Sequence, residues 1–293
     1  MKNIFKYTLL LFTTAVFAQQ ESTISFYNTH LNLVNPAYVG ATDQTFVSSL
    51  VRKQWANIDD APETQALSFG TQLGSNFAMG LSVVNDKVFI EKQTFITLDF
   101  SYKVNLNEEL ELFMGVKAGA NNYQVNTSGL QTYNVMSDAS LESISRFNPN
   151  VGVGFYLKHN KYYISVSTPK LLNTERAKTE DGFATVATDR SHFYFGTGYD
   201  FNIDTTNTWV LTPSVFSRFV NGAPLSTDFS ANLNWNKKLD FATTYRTDKS
   251  VGFRIAIRLS KNIKLGYAYE SMLRNEIQSA ARGSHEFMLR LNW

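Results

Sequence analysis

The final segment of the chain, residues 285–293, constrains the fold more than any other part of the sequence, because its side chains alternate in character without a break. Successive side chains of a β-strand point to opposite sides, so the pattern predicts a strand with one apolar face. That face carries Phe287, Leu289, Leu291 and Trp293, and the opposite face carries Glu286, Met288, Arg290 and Asn292. A closing strand of this kind with a terminal aromatic is typical of transmembrane β-barrels, although a soluble sandwich can also end this way.

The start of the chain has the parts of a secretory signal peptide. Lys2 and Lys6 form a basic start, an apolar stretch begins at Leu9, and small residues precede a predicted cut before Gln19. The apolar run is too short to span a bilayer, which argues against a membrane anchor. We therefore expect residues 1–18 to be removed on export. The sequence has no cysteine, which excludes a lipoprotein start and any reliance on disulfides.

The charge balance gives no indication of nucleic-acid binding. The chain carries 27 Lys and Arg against 25 Asp and Glu, and two of the lysines lie in the predicted signal peptide. The exported chain is therefore formally neutral and lacks a basic footprint. The long uncharged stretches, 25–42 and 120–137, are rich in polar residues, so no further transmembrane helix is predicted. A mean hydropathy of −0.21 still fits a barrel, because only alternate residues of its strands meet lipid.

Four more segments alternate over about ten residues, the length that a tilted strand needs to cross a bilayer. They are 95–104, 192–201, 251–259 and 263–270. Strands of soluble sandwiches are usually shorter, about five to six residues. Aromatic residues make up 14% of the chain, which also fits a membrane barrel with aromatic belts. The alternation therefore predicts an all-β fold, a transmembrane antiparallel β-barrel.

The predicted connections are of two alternating kinds. Short turns are expected near 74–76, 105–107, 158–160, 204–207, 236–238 and 260–262. Longer or more irregular connections are expected near 56–62, 86–92, 126–146, 171–190, 219–226, 246–250 and 271–284. This layout gives about fourteen strands, the first beginning near Thr42, with short turns in the periplasm and longer loops outside. It places the tryptophans at the membrane interfaces, which amphipathic rings prefer. Trp209, Trp235 and Trp293 fall at inner strand ends, and Trp55 falls at an outer end.

Residues 19–41 do not have the pattern of the predicted barrel, residues 42–293. This N-terminal segment is uncharged after Glu21 and rich in asparagine, which favours turns. We expect it to lie on the periplasmic side or to enter the lumen. Several glycines of the strands face inward, and they either leave space for close approach to the wall or only ease its curvature. They are Gly152, Gly154, Gly196, Gly198, Gly252 and Gly266.

The sequence predicts no catalytic, cofactor-binding or metal-binding residues, and an enzyme is not expected. The four histidines are far apart and lack the spacing of metal ligands. They are His30, His159, His192 and His285. Ser191 precedes His192 and Ser284 precedes His285, but adjacent residues of one strand point to opposite faces, so neither pair forms a catalytic dyad by itself.

Charged residues on the polar faces are predicted to project into the lumen. They are Asp99, Lys103, Lys117, Asp200, Arg254, Arg258, Lys264, Glu270, Glu286 and Arg290. They either line a pore that binds solutes or pair with one another inside a closed barrel, and their mixed signs favour pairing. The mixed-charge segment 173–182 is predicted to form an external loop that is solvated or contacts a partner.

Five groups of short motifs occur in order along the mature chain. They are Asn35-Pro-Ala-Tyr-Val-Gly40; Arg52-Lys-Gln-Trp55 with 58–62 and Thr64-Gln65; Gly80-Leu-Ser82 with Asn85-Asp-Lys87; Tyr162-Tyr-Ile-Ser165 with 168–173; and Gly283-Ser-His-Glu286. Together they resemble the motifs of the PorP/SprF family of outer-membrane proteins in the type IX secretion system. The one departure, Val39 where the family commonly has alanine, is conservative.

This resemblance implies a barrel in the outer membrane of a Gram-negative bacterium that serves type IX secretion. In gliding relatives the family delivers and anchors large motility adhesins. The implied partners are secreted adhesins or secretion components, with membrane lipid around the barrel, and no cofactor or catalytic residue carries over. A solute channel or uptake porin is the main alternative function, and a lipid-modifying enzyme is a third.

Overall fold

The structure, a computed structural model, describes residues 23–127, 144–172, 174–175, 188–273 and 283–293. Within these ranges, fourteen antiparallel strands form one sheet that closes on itself. They are β1 (Phe46–Lys53), β2 (Glu63–Gln72), β3 (Phe77–Val88), β4 (Glu91–Asn105), β5 (Leu110–Val125), β6 (Ile144–His159), β7 (Tyr162–Thr168), β8 (His192–Tyr199), β9 (Trp209–Val220), β10 (Ser226–Trp235), β11 (Leu239–Arg246), β12 (Ser250–Arg258), β13 (Ile263–Met272) and β14 (Ser284–Asn292). The predicted barrel of about fourteen strands is confirmed.

The barrel closes because its last strand pairs with its first. The register of β14 on β1 runs from Phe46 opposite Asn292 to Lys53 opposite His285. Every other strand pairs with its neighbours in the sequence, and the two-residue segment Phe201–Asn202 adds a short pairing beside β9. An open sheet leaves backbone N–H and C=O groups unpaired at its edges, and the hydrocarbon of a bilayer offers them no hydrogen-bond partner. Closure of the barrel pairs these groups with one another.

The two faces of the strands differ as the alternation predicts. On β14, the side chain of Phe287 is 59% exposed on the outside, whereas its neighbour Glu286 is fully buried inside. Apolar residues that are exposed in the absence of lipid recur around the barrel, for example Phe253 and Ile96. An apolar outer surface of this kind is what a transmembrane barrel presents to the hydrocarbon of a membrane.

The connections separate the barrel into two ends. At the end called here the short-turn end, the connections are 73–76, 106–109, 160–161, 200–208, 236–238 and 259–262. At the other, the loop end, they are 54–62, 89–90, 126–143, 169–191, 221–225, 247–249 and 273–283. Trp209 and Trp235 lie opposite each other on β9 and β10 at the short-turn end, with ring centroids 6.0 Å apart. Their predicted position at one end of the strands is confirmed.

Two boundaries differ from the sequence prediction. The prediction of an irregular connection at 86–92 is wrong. Strands β3 and β4 stay paired as far as Val88 opposite Glu91, and a tight turn joins them. Phe89 closes this tight turn in a left-handed backbone conformation, with φ at 53°. The first strand begins at Phe46 rather than near Thr42. The carbonyl of Thr42 accepts a hydrogen bond from the Gln72 side chain (2.7 Å) instead of belonging to the backbone ladder of β1.

Short helices make up much of the described N-terminal segment. Helix α1 covers Tyr27–His30, and 3₁₀ helices cover Leu31–Leu33 and Pro36–Val39. Asn35 caps the last of these, since its side-chain oxygen accepts a hydrogen bond from the backbone N–H of Ala37 at 3.0 Å. Among the described residues, no helix has the length and apolar character needed to cross a membrane.

Candidate functional site in the barrel lumen

Residues 23–41, here called the plug, lie inside the barrel. The Asn35 amide donates to Ser165 Oγ on β7 at 2.8 Å, and the Ser25 backbone N–H donates to Glu286 Oε2 on β14 at 2.7 Å. In a closed sheet of fourteen strands, β7 and β14 lie on opposite sides. A segment that is bonded to both sides of the wall crosses the lumen between them.

The middle of the plug is fixed by polar groups of the wall. The amide of Asn32, which is fully buried, donates to Ser82 Oγ at 3.1 Å. The Lys117 ammonium donates to the backbone carbonyl of Asn32 at 3.1 Å and lies 2.6 Å from Asp99 Oδ1. These contacts give buried polar groups the partners that they require away from water.

Glycines on the inner face of the wall allow the plug to lie against it. A Cβ atom at Gly154 would lie 2.0 Å from Asn35 Oδ1, and one at Gly266 would lie 2.6 Å from Phe26 Cζ. Both distances are too short for a side chain, so close approach explains these two glycines. At Gly252 a Cβ would meet nothing nearer than 3.8 Å, and the plug does not require a glycine there.

Five buried charged side chains, here called the clamp, hold the plug near the loop end. They are Arg52, Asp228, Arg246, Glu270 and Glu286. Glu286 contacts the plug backbone directly. The N–H of Ser25 donates to its Oε1 (3.0 Å) and Oε2 (2.7 Å), and the N–H of Phe26 donates to Oε1 (3.0 Å). One carboxylate therefore fixes two consecutive residues of the plug.

Anions and cations alternate along the clamp. Arg52 lies 3.2 Å from Glu286 Oε2 and 2.7 Å from Glu270 Oε2. Arg246 lies 2.7 Å from Glu270 Oε1 and 2.6 Å from Asp228 Oδ1. Each buried charge thus has an opposite charge beside it. Loss of Arg52 would leave Glu286 without the arginine that it pairs with, and loss of Arg246 would do the same to Asp228, which typically costs about 3–5 kcal/mol.

The sequence prediction found only part of the clamp. Glu270 and Glu286 are among the charges predicted to face the lumen, but Arg52, Asp228 and Arg246 are not. The signal that could have found them is the same alternation. Arg246 pairs in register with Asp228 on β10, so these two residues occupy one row across neighbouring strands.

Residues from the five motif groups meet in this lumen. Arg52 of the second group and Glu286 of the fifth form an ion pair across the seam between β1 and β14. Asn35 of the first group donates to Ser165 of the fourth, and Ser82 of the third accepts a hydrogen bond from the plug. The motifs therefore mark contacts between the plug and the wall.

Comparison with known families identifies the chain. The sequence profile of the family described as type IX secretion system membrane protein PorP/SprF matches residues 16–291. The chain belongs to the PorP/SprF family. The resemblance predicted from the motifs is thus confirmed, and the matched range contains the plug and nearly all of the barrel. No curated protein sequence matches the chain.

Solved outer-membrane proteins share the fold of this PorP/SprF barrel. Omp33 of Acinetobacter baumannii superposes with a TM-score of 0.52 at 9% identity, over 85% of this chain and 98% of that chain. The Ralstonia pickettii toluene transporter TbuX gives 0.53 at 10% identity, over 88% and 92%. At such identities the similarity shows the fold alone. Together with the family, it confirms the predicted location in the outer membrane. Barrels of that membrane generally have short turns on the periplasmic side and longer loops outside, so the short-turn end is assigned here to the periplasm.

In each of the two Ser-His pairs, the structure gives one member a hydrogen-bond partner other than its neighbour in the pair. His285 Nδ1 lies 2.8 Å from Tyr267 Oη, and Ser191 Oγ donates to the carbonyl of Leu171 at 3.2 Å. In the described ranges, no group of His, Cys, Asp or Glu is arranged to hold a metal ion. The family and the barrel fold point to a non-enzymatic membrane protein.

Several other charges predicted to face the lumen are also paired or bonded. Lys103 Nζ lies 3.4 Å from Glu111 Oε1, and Asp200 Oδ1 accepts a hydrogen bond from Thr212 Oγ1 at 2.6 Å. The Arg254 guanidinium donates to the backbone carbonyl of Ser25 in the plug. The predicted external loop 173–182 lies outside the described residues, apart from the backbone of positions 174–175.

The plug also contains a buried titratable group, His30. Its side chain is fully buried, and burial, with a smaller effect of the nearby Arg290 cation, lowers its pKa from 6.5 to about 3. The imidazole is therefore neutral in the docked plug at neutral pH. In a released plug the pKa would return to its ordinary value, because water would solvate the charged form.

Acidification should weaken docking of the plug. The pKa of His30 is lower in the docked state, so docking loses stability as the pH falls from 6.5 towards about 3 and is unaffected by this group above that range. Hydrogen exchange of plug amides, measured in detergent over that pH range, should show increasing exposure. In His30→Gln the dependence on pH should be shallower, and an identical slope in both proteins would contradict the role of this histidine.

Proposed function

We propose that this PorP/SprF barrel is a docking component of type IX secretion. It binds and anchors secreted surface adhesins, or docks the secretion machinery, and does not conduct solutes. The observation that carries this proposal is the plug, which crosses the lumen and is bonded to opposite sides of the wall.

The space left beside the plug supports a docking role. Near the loop end, two cavities that described residues form between the plug and the wall measure about 120 Å³ and about 30 Å³. Sites for drug-sized ligands are typically about 300–1,000 Å³. A folded domain must therefore bind at the rim, and a stable protein–protein contact needs only about 800 Å² on each partner, which several outer loops together can provide.

A solute channel is the alternative function. Barrels of similar fold include the toluene transporter TbuX and the CymD monoaromatic hydrocarbon channel, which has a TM-score of 0.51 at 8% identity over 89% of this chain and 90% of that chain. A channel would require the plug to leave its contacts. Conductance of the purified protein in planar bilayers separates the two functions: a steady open pore in the wild-type protein would favour the channel.

Loss of the protein should remove one or a few large secreted proteins from the cell surface, with a smaller effect on general export. Replacing residues 174–181, a mixed-charge segment of the predicted outer loop, with a Gly/Ser linker should reduce adhesin retention while the barrel stays folded. Surface labelling followed by mass spectrometry measures retention. The matched control replaces the periplasmic turn 236–238 in the same way. Unchanged surface adhesin in the deletion and loop variants would rule out anchoring.

A further inference from the structure

Three cations lie side by side on the inner face of the barrel at its periplasmic end. Arg258 on β12 is directly opposite Lys264 on β13, and Lys264 is directly opposite Arg290 on β14. These three residues are called here the cation row. Like charges directly opposite each other on neighbouring strands destabilise a sheet. A row of three therefore calls for compensation by anions.

The protein supplies that compensation only in part. Lys264 Nζ lies 2.6 Å from Asp240 Oδ2. Arg290 is bound to neutral groups: it donates to the carbonyl of Thr29 at 2.7 Å, and its guanidinium lies 4.0 Å from the centroid of the Phe46 ring. Arg258 is exposed, and the ion pairs found among the described residues give it no carboxylate.

The cation row faces a polar cavity of about 430 Å³. Its lining comes from the row, from the plug and from the stretch that joins the plug to β1. The members outside the row include Asn28, Tyr38, Asp43, Gln44 and Asn292. The one acid among these, Asp43, lies 3.4 Å from Lys158 and is thus partly neutralised. Two arginines therefore give the cavity an excess of positive charge beside amide and hydroxyl groups.

We propose that this cavity is a binding site for an acidic peptide segment of a periplasmic protein. Carboxylates of the peptide bind Arg258 and Arg290, and arginine recognises such groups through paired, charge-assisted hydrogen bonds. The amide side chains around the row bind the peptide backbone. The row faces the lumen and is separated from the lipid by the strands, so a protein segment fits the site better than a lipid headgroup does.

This inference deepens the proposed docking function, because it names the kind of contact that the periplasmic end makes. It rests on that function only for the source of the peptide, a periplasmic component of secretion. Binding of a peptide to the purified protein can fail or succeed independently of adhesin retention on cells, so the two proposals are tested separately.

The test is fluorescence anisotropy with the full mature chain in detergent and a labelled oligo-aspartate peptide. Arg258→Gln should weaken binding about tenfold, the effect of losing one charge-assisted contact of about 1.4 kcal/mol. Arg258→Glu should abolish binding. Because Arg258 is exposed, both variants should fold, and the heat-modifiable mobility of the barrel checks this.

The matched control is Lys261→Gln, which removes an exposed cation from a periplasmic turn next to the row but outside the cavity. It should change affinity less than twofold. Equal losses of affinity in Arg258→Gln and Lys261→Gln would show that the peptide responds only to the overall charge of the protein, which would overturn the proposal. Binding of a labelled oligo-serine peptide with equal affinity would also overturn it. Complete displacement of the acidic peptide by equimolar inorganic phosphate would replace it with a phosphate site.

Discussion

Replacing Glu286 with glutamine should release the plug and turn the barrel into an open pore. In the wild type, this fully buried carboxylate accepts three hydrogen bonds from the plug backbone and neutralises Arg52. An amide oxygen at the Oε1 position could still accept from Ser25 and Phe26, but the amide nitrogen at the Oε2 position would face the donors of Ser25 and Arg52. The buried guanidinium also loses one of its two anions. Arg52 keeps its pair with Glu270, so the cost comes from the lost contacts of the plug rather than from an unpaired charge. In planar bilayers, the variant should show a steady conductance that the wild-type protein lacks.

Glu270→Gln is the matched control for this prediction. Glu270 is also buried and also pairs with Arg52, but the backbone N–H groups of Ser25 and Phe26 donate to Glu286. The control should lower the denaturant resistance of the protein without producing the large pore. Equal conductance in the two variants would show that the opening reflects general damage to the clamp. Conductance of the wild type equal to that of Glu286→Gln would refute the sealing role of the plug.

Replacing Leu289 with arginine should destabilise the barrel by roughly 2–4 kcal/mol, the cost of a charge near the middle of the bilayer. Leu289 lies on the outer face of β14, between Ser49 and Leu265 of the neighbouring strands. Its side chain is 37% exposed in the absence of lipid. Denaturant unfolding in lipid vesicles, followed by the loss of heat-modifiable gel mobility, measures the change.

The matched control is Leu291→Arg, which makes the same substitution on the same face of the same strand but nearer the periplasmic end. Leu291 is opposite Ile263, the first residue of β13, so its side chain is close to the interface. There the cost of an arginine falls to about 0–1 kcal/mol. Equal and small effects at both positions would contradict the assignment of this face to lipid.

The strands could be predicted because their signal is local. Alternation along β14 specifies both faces within nine residues, and the same period fixes the other strands and the charges between them. The tight turn at Phe89 was not predicted because residues 86–92 do not alternate: charged pairs flank three consecutive apolar residues, 88–90. In the structure, pairing of β3 with β4 nevertheless extends as far as Val88 opposite Glu91. Cross-strand register is a property of two strands together, and the residues of one segment do not contain it.

The sequence by itself determined the barrel, its number of strands and its family, since these follow from a local period and from motifs in order. It left the N-terminal segment either in the periplasm or in the lumen, and it gave no partner to Glu286. Only the tertiary structure brought Ser25 and Glu286, 261 residues apart, to within 2.7 Å. The physical reason is that packing inside a closed wall depends on which side chains face one another across the lumen, and closure of β1 on β14 sets that arrangement.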